Sequence, residues 1–131
     1  MNAPNETERR LRVLVADDRA MYRIAVQQLV NTAPDLEVAG VARDGAEAWN
    51  MTLELNPDVV VLDGELPFVS GVEVLSRLRT EMPQVRIVMN TSNPAHSEIA
   101  RRLGAESVAK EARPEILLAA IRGFPVMVAG R

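Results

Sequence analysis

Two apolar runs dominate this chain, LRVLVA at 11–16 and DVVVL at 58–62. Each ends in acid, Asp17-Asp18 after the first and Asp63 after the second. A continuous apolar run bounded by turn residues reads as a parallel strand covered on both faces. Such strands need helices above and below the sheet, which leaves few architectures besides an alternating α/β one. In an open parallel sheet, functional groups gather outside the carboxyl ends of the strands, where strand order reverses. Three acids converging there repel one another unless a cation or a proton sits between them. Mg²⁺ is the cation best suited to an all-oxygen set that also handles phosphate.

The rest of the chain alternates as this requires. Tyr22, Val26, Leu29 and Val30 form one apolar stripe at helical spacing, predicting a helix over about 19–32. LEVAGVA (36–42) is a short β-branched strand. Asp44 is placed to cap the helix AEAWNMTLEL, which Asn56-Pro57 stops. After DVVVL, the most apolar run and therefore the central strand, the loop GELPFVS leads to a helix opening at Ser70. Glu73 follows at capping-box spacing, and Val74, Leu75 and Leu78 form the buried face. Pro83 ends that helix, and VRIVMN (85–90) is a fourth strand. A short helix over about 95–103 stops at Gly104, and ESVA (106–109) is a brief fifth strand. Pro114 opens the last helix, PEILLAAIRG, which ends at Gly123. Five strands alternating with five helices make a doubly wound α/β sheet with right-handed crossovers. The expected organisation is a flexible lead-in over 1–10, one domain over 11–123 and a short tail over 124–131.

Composition removes several function classes. At 131 residues the chain fits one domain with a substantial core. The sequence contains no cysteine, hence no disulfide framework, thiolate metal site or cysteine nucleophile. A net charge of −3 argues against direct nucleic acid binding, which needs a clustered basic surface. No stretch approaches the roughly 18 apolar residues of a membrane span, and MNAPNETERR has no apolar core of a secretory signal. A cytoplasmic setting with no membrane partner is the default expectation.

Four of the five strands deliver a polar or charged group to one edge of the sheet. These are Asp17-Asp18, Asp63, Thr91 flanked by Asn90 and Ser92, and Lys110. Each alone is an ordinary cap, turn or surface residue. Together they supply metal-binding carboxylates, a nucleophilic carboxylate, a hydroxyl donor and an ammonium cation. That is a complete kit for moving a phosphoryl group onto an aspartate.

The motifs LVADD, VVLDGELPFVSG, MNTS and SVAK resemble those of response regulator receiver domains of two-component signalling systems, from about Leu11 to Gly123. The resemblance implies a flavodoxin-like five-stranded parallel sheet in the order 2-1-3-4-5. It implies that Asp63 is the phosphoacceptor, that Asp18 binds Mg²⁺ directly and that Asp17 does so through water. The backbone carbonyl of Glu65 falls where the family supplies a further metal ligand. Thr91 matches the switch hydroxyl and Lys110 the lysine that pairs with the phosphoryl group. A histidine kinase or phosphotransfer protein is the implied donor. A downstream effector domain or protein is the implied target, and a homodimer is a further implied partner. Mg²⁺-dependent autophosphorylation and slow autodephosphorylation are expected, rather than conventional turnover.

Some positions depart from the family pattern. Ser107-Val108 stands where receivers commonly carry an aromatic, Glu111 follows the lysine in place of proline, and Thr91 to Lys110 is shorter by about one helical turn. Gly64-Glu65 is also unusual, and Glu65 with Asn93 is expected to tune hydrolysis of the phospho-aspartate. The shortened stretch and the missing aromatic favour a competing class, a degenerate receiver acting as a phosphorylation-independent interaction module, while retention of the three acids, Thr91 and Lys110 argues against it. A turnover phosphatase ranks last, because Glu65 stands where such enzymes carry a second Asp. His96 is expected to be exposed near a helix start without a role. Trp49 is expected to cover core, the methionines to be core or boundary residues, and Arg101-Arg102 to be a solvated face. The chain stops at Arg131 with no room for an effector, which leaves a stand-alone regulator and the receiver of a longer protein both open.

Overall fold

The computed structural model describes residues 9–124, so residues 1–8 of the expected lead-in over 1–10 and residues 125–131 of the expected tail over 124–131 lie outside the described residues. The elements run β1 (Leu11–Ala16), α1 (Ala20–Asn31), β2 (Leu36–Ala42), α2 (Gly45–Leu55), β3 (Val59–Leu62), α3 (Gly71–Glu81), β4 (Arg86–Asn90), α4 (Pro94–Arg102), β5 (Glu106–Val108) and α5 (Pro114–Arg122). The five strands form one parallel sheet in the order β2-β1-β3-β4-β5. Strand order reverses at β1, whose two neighbours are β2 and β3, so a crevice opens where β1 and β3 both end in acid.

Val59, Val60, Val61 and Leu62 of β3 are all buried, as a central strand covered on both faces requires. Side chains alternate across the sheet and feed two cores. One joins Leu14, Val60, Leu62, Ile87 and Met89 to Val74, Leu75 and Leu78 of α3, with Trp49 packed against it. The other joins Val13, Val15, Val59, Val61 and Val88 to Val26 and Val30 of α1 and Leu117 and Ile121 of α5. Each fully buried Val or Leu contributes roughly 1.5–3 kcal/mol. Leu75→Ala, which deletes a fully buried side chain, therefore costs about 3 kcal/mol.

Local signals place the helix starts. Asp44 accepts from the Glu47 N–H at 2.8 Å and Ser70 from the Glu73 N–H at 3.2 Å. Gly123 ends α5 with a left-handed φ of 83°. Arg101 and Arg102 are exposed and pair with Glu98. Met21 departs from the expectation for methionines. It is exposed, because the α1 stripe turns Tyr22 and Val26 inward and carries position 21 outward. Among the described residues, no helix is long and apolar enough to cross a membrane.

Candidate functional site

The ends of β1, β3, β4 and β5 converge on one acidic pocket. Asp17 and Asp63 are the first residues past β1 and β3, and both are buried. With exposed Asp18 they form a cluster whose carboxylate oxygens lie within 4.8 Å of one another. Two residues past β5, Lys110 reaches back so that its ammonium lies 2.8 Å from Asp17 Oδ2 and 3.4 Å from Asp63 Oδ2. The side chains of Lys110 and Asp63 are only 8% and 5% exposed, so these charges meet with little water between them.

Asp17 is engaged on every side. Its Oδ1 accepts from the Arg19 N–H at 2.9 Å, its Oδ2 from Lys110, and its carbonyl from Arg23 Nη1 at 2.8 Å. Asp63 Oδ1 accepts from the Glu65 N–H at 3.1 Å, the bond that turns the chain out of β3. Burial pushes the Asp63 carboxyl above its ordinary pKa and the charge of Asp17 adds to this, while the Glu65 N–H and Lys110 oppose it. The β3–α3 loop closes tightly behind Asp63, where the Gly71 N–H bonds the Gly64 carbonyl at 3.1 Å. A Cβ on Gly71 would stand 1.8 Å from the Asp63 carbonyl oxygen, so any side chain there would displace Asp63.

On the other side of the pocket the bonds around Thr91 are neutral. Thr91, buried one residue past β4, accepts from the Asn93 N–H at 3.1 Å, and His96 Nδ1 lies 3.4 Å from its hydroxyl. Asn93 turns its own amide to cap α4, its Oδ1 accepting from the Ala95 N–H at 2.9 Å. Glu65 presents its backbone N–H to Asp63, and the residue as a whole is exposed. In place of the usual aromatic, Ser107 of β5 donates from its hydroxyl to Ser97 of α4 at 2.9 Å.

Two residues enter the site that sequence reasoning had assigned elsewhere. His96 is half-buried rather than exposed, because Gly64 has no side chain and leaves room for the imidazole above it. Tyr22, read as part of a core stripe, places its ring 4.6 Å from the Lys110 ammonium and donates its hydroxyl to Asn90 Oδ1 at 2.7 Å. Asn90 in turn donates to the Val108 carbonyl at 3.1 Å, joining α1, β4 and β5. Burial holds the Tyr22 phenol above its ordinary pKa, so it stays a donor. A groove of about 360 Å³ runs past Tyr22, Leu29, Lys110 and Leu117 between α1 and α5. The available signal was position: Tyr22 and His96 sit in the first turns of helices that begin at the pocket edge.

The residues present fit a hard divalent cation, since the clustered donors are all carboxylate oxygens and one of the three acids faces solvent. Chemically, a carboxylate held beside a buried ammonium and two further acids is suited to accept a phosphoryl group.

The fold and the pocket define a phosphorylation-based signalling domain. A family model for the response regulator receiver domain matches residues 13–122, and the chain belongs to that family. The protein-glutamate methylesterase/protein-glutamine glutaminase of Thermotoga maritima is 40% identical over 86 residues, covering 66% of this chain and 25% of that protein. One such protein from Dechloromonas aromatica is 41% identical over 97 residues, covering 72% and 28%. The chain thus spans about a quarter of the length of these curated relatives. Among solved structures, the response regulator domain of Thermotoga maritima CheB superposes with a TM-score of 0.82 at 33% identity, covering 88% of this chain and 96% of that one. A LuxR-family DNA-binding response regulator from Staphylococcus aureus gives 0.80 at 30% identity, covering 86% and 97%.

Proposed function

We propose that the chain is a switch in which Asp63 accepts a phosphoryl group in the presence of Mg²⁺ from a histidine kinase or phosphotransfer protein. The observation that supports this most is the convergence of Asp17, Asp18 and Asp63 within 4.8 Å, with the Lys110 ammonium 3.4 Å from Asp63. Asp18, Asp63 and the Glu65 carbonyl would hold the ion, with Asp17 through water. When bound, it supplies positive charge to the acids and to phosphoryl oxygens.

Asp63 is the nucleophile. One carboxylate oxygen forms the new P–O bond as the donor's P–N bond breaks and the imidazole leaves with that electron pair. Lys110 is already beside the attacking oxygen and holds the added negative charge opposite the acids. Thr91 then donates its hydroxyl to a phosphoryl oxygen, leaving its place beside α4 and changing the packing there. Glu65 and Asn93 flank the site and set the lifetime of the acyl phosphate. The altered surface meets an effector, attached or separate, or a second copy of the chain. In the relatives, names such as methylesterase and DNA-binding regulator describe the effectors such domains accompany.

Incubation with acetyl phosphate and Mg²⁺, followed by intact mass, tests the proposal. One added phosphoryl group is expected on the wild type and none on Asp63→Asn. Equal labelling of both, or of neither, rejects it. The Ser107–Ser97 bond, standing where the family places an aromatic, favours a second reading in which partner binding is independent of phosphorylation. Partner affinity unchanged by beryllofluoride in a protein that does bind it would support that reading.

A further inference from the structure

The Thr91 hydroxyl has two neighbours, and both belong to the start of α4 rather than to the acid cluster. The Asn93 N–H donates to it at 3.1 Å, which leaves the hydroxyl its own proton to place. His96 Nδ1, 3.4 Å away, is the acceptor in reach when the neutral ring carries its proton on Nε2. At that distance the bond is weak enough to be given up. The imidazole is held there from below. A Cβ at Gly64 would lie 2.4 Å from His96 Nδ1 and 2.9 Å from its Cγ, so the ring rests on bare backbone directly after Asp63. His96 is fixed at its own backbone as well, its N–H bonding the Asn93 carbonyl at 3.1 Å. The missing side chain at 64 and the imidazole at 96 are thus two halves of one contact, made between the loop that carries Asp63 and the helix that follows Thr91.

We propose that His96 is a positioning residue of the switch, seated by Gly64, that retains the Thr91 hydroxyl on the α4 side until a phosphoryl group on Asp63 competes for it. The proposal rests on the phosphorylation reading for its purpose, but the latch itself is a property of the resting protein. Releasing it should favour the switched state, because the phosphoryl oxygens would no longer contend with an existing partner.

Two substitutions break the contact from opposite sides. His96→Ala removes the acceptor. Gly64→Ala pushes the ring away, and since Gly64 does not occupy the left-handed region, alanine fits its backbone without strain. Losing one neutral hydrogen bond corresponds to an affinity change of about three- to tenfold. Each variant is expected to bind beryllofluoride with Mg²⁺ tighter than the wild type by that factor, measured by calorimetry. Because both act on one contact, Gly64→Ala should add nothing in the His96→Ala background. His96→Asn, whose amide can place an acceptor near the Nδ1 position, should restore wild-type affinity.

Scalar couplings of Thr91, read by NMR in the resting protein without Mg²⁺ or beryllofluoride, should report one dominant side-chain rotamer in the wild type and averaging in His96→Ala. Unchanged Thr91 couplings in His96→Ala, or effects of the two substitutions that simply add, would overturn the latch. If no variant and not the wild type binds beryllofluoride, the phosphorylation reading fails while the Thr91 couplings still decide the latch.

Discussion

The two sides of the pocket are built from different interactions. On the β1–β3–β5 side, Asp17 and Asp63 are buried charges 2.8 and 3.4 Å from the Lys110 ammonium, and Asp17 is bonded through all of its oxygens. On the β4–α4 side, Thr91, Asn93, His96, Ser97 and Ser107 meet through neutral hydrogen bonds, the one to His96 as long as 3.4 Å. Charged bonds in a dry pocket are strong and position-specific, whereas neutral bonds at a solvent edge each contribute about 1 kcal/mol or less. On the proposed phosphorylation reading, the reacting groups are held in place before a phosphoryl group arrives, and the element proposed to move is held loosely. A switch needs both, because a site that is loose everywhere loses its chemistry and one that is rigid everywhere has nothing to move.

The sharpest way to break this contrast is to remove the buried cation. Lys110→Met keeps an unbranched side chain and deletes the charge, which also lies over the Tyr22 ring. It leaves Asp17 and Asp63 facing each other without an ammonium, which should destabilise the fold by about 3 kcal/mol in urea melts. Mg²⁺ should recover part of that loss, and calorimetry should show the variant binding Mg²⁺ more tightly than the wild type. A variant as stable as the wild type would mean that the charged side is not held by its charges.

Asp63→Asn works in the opposite direction. Burial raises the Asp63 pKa in the folded protein above its ordinary value of 3.8, so the folded state holds this proton more tightly than the unfolded chain. Stability is then lost as pH climbs from 3.8 through the folded value, and above that window the full penalty is present. Asn carries no such charge. Asp63→Asn should thus be more stable than the wild type at neutral pH, with the gain vanishing below about pH 3.8. Mg²⁺ at ten times its Kd should stabilise the wild type by roughly 1.4 kcal/mol and the variant by less.

Tyr22→Phe tests the seam between the two sides. The ring stays over Lys110, but Asn90 Oδ1 loses the phenol that donates to it at 2.7 Å. A buried acceptor left without its donor costs about 1–2 kcal/mol. The loss should be visible in urea midpoints, without change in Mg²⁺ affinity, because the carboxylates proposed to hold the cation are untouched. A drop in Mg²⁺ affinity would show that Tyr22 positions Lys110 through its hydroxyl rather than its ring.

The same contrast explains what could be read from the sequence. Strand ends bearing Asp17, Asp18, Asp63 and Lys110 were legible because a parallel sheet fixes where its carboxyl ends point, whatever the loops do. The caps Asp44 and Ser70 were legible because capping is local, three residues from donor to acceptor. His96 was not. Its placement depends on Gly64, 32 positions earlier, leaving a gap that spacing along the chain cannot reveal. Tyr22 fitted the apolar stripe of α1 so well that its hydroxyl was overlooked, and its partner Asn90 lies across the sheet. Glu65 is expected for its carbonyl and for tuning hydrolysis, and the backbone N–H that it donates to Asp63 is a contact that no sequence pattern marks.

The smallest effect is expected where β5 meets α4. The Ser107 and Ser97 hydroxyls are 2.9 Å apart and both residues are half-buried, so either can turn to water when its partner is lost. Ser97 has a further outlet, since a helical serine can bond back to the carbonyl four residues earlier, here that of Asn93. Ser107→Ala should consequently cost about 0.5 kcal/mol, and Ser97→Ala added to it almost nothing more, because the two hydroxyls act as one contact. Hydrogen exchange should nevertheless quicken along α4, which this bond ties to β5. A loss several times larger in urea melts would place α4 among the firmly held parts of the site. The neutral side would then be as rigid as the charged one, and the movement proposed for Thr91 would have to be accommodated somewhere other than the start of α4.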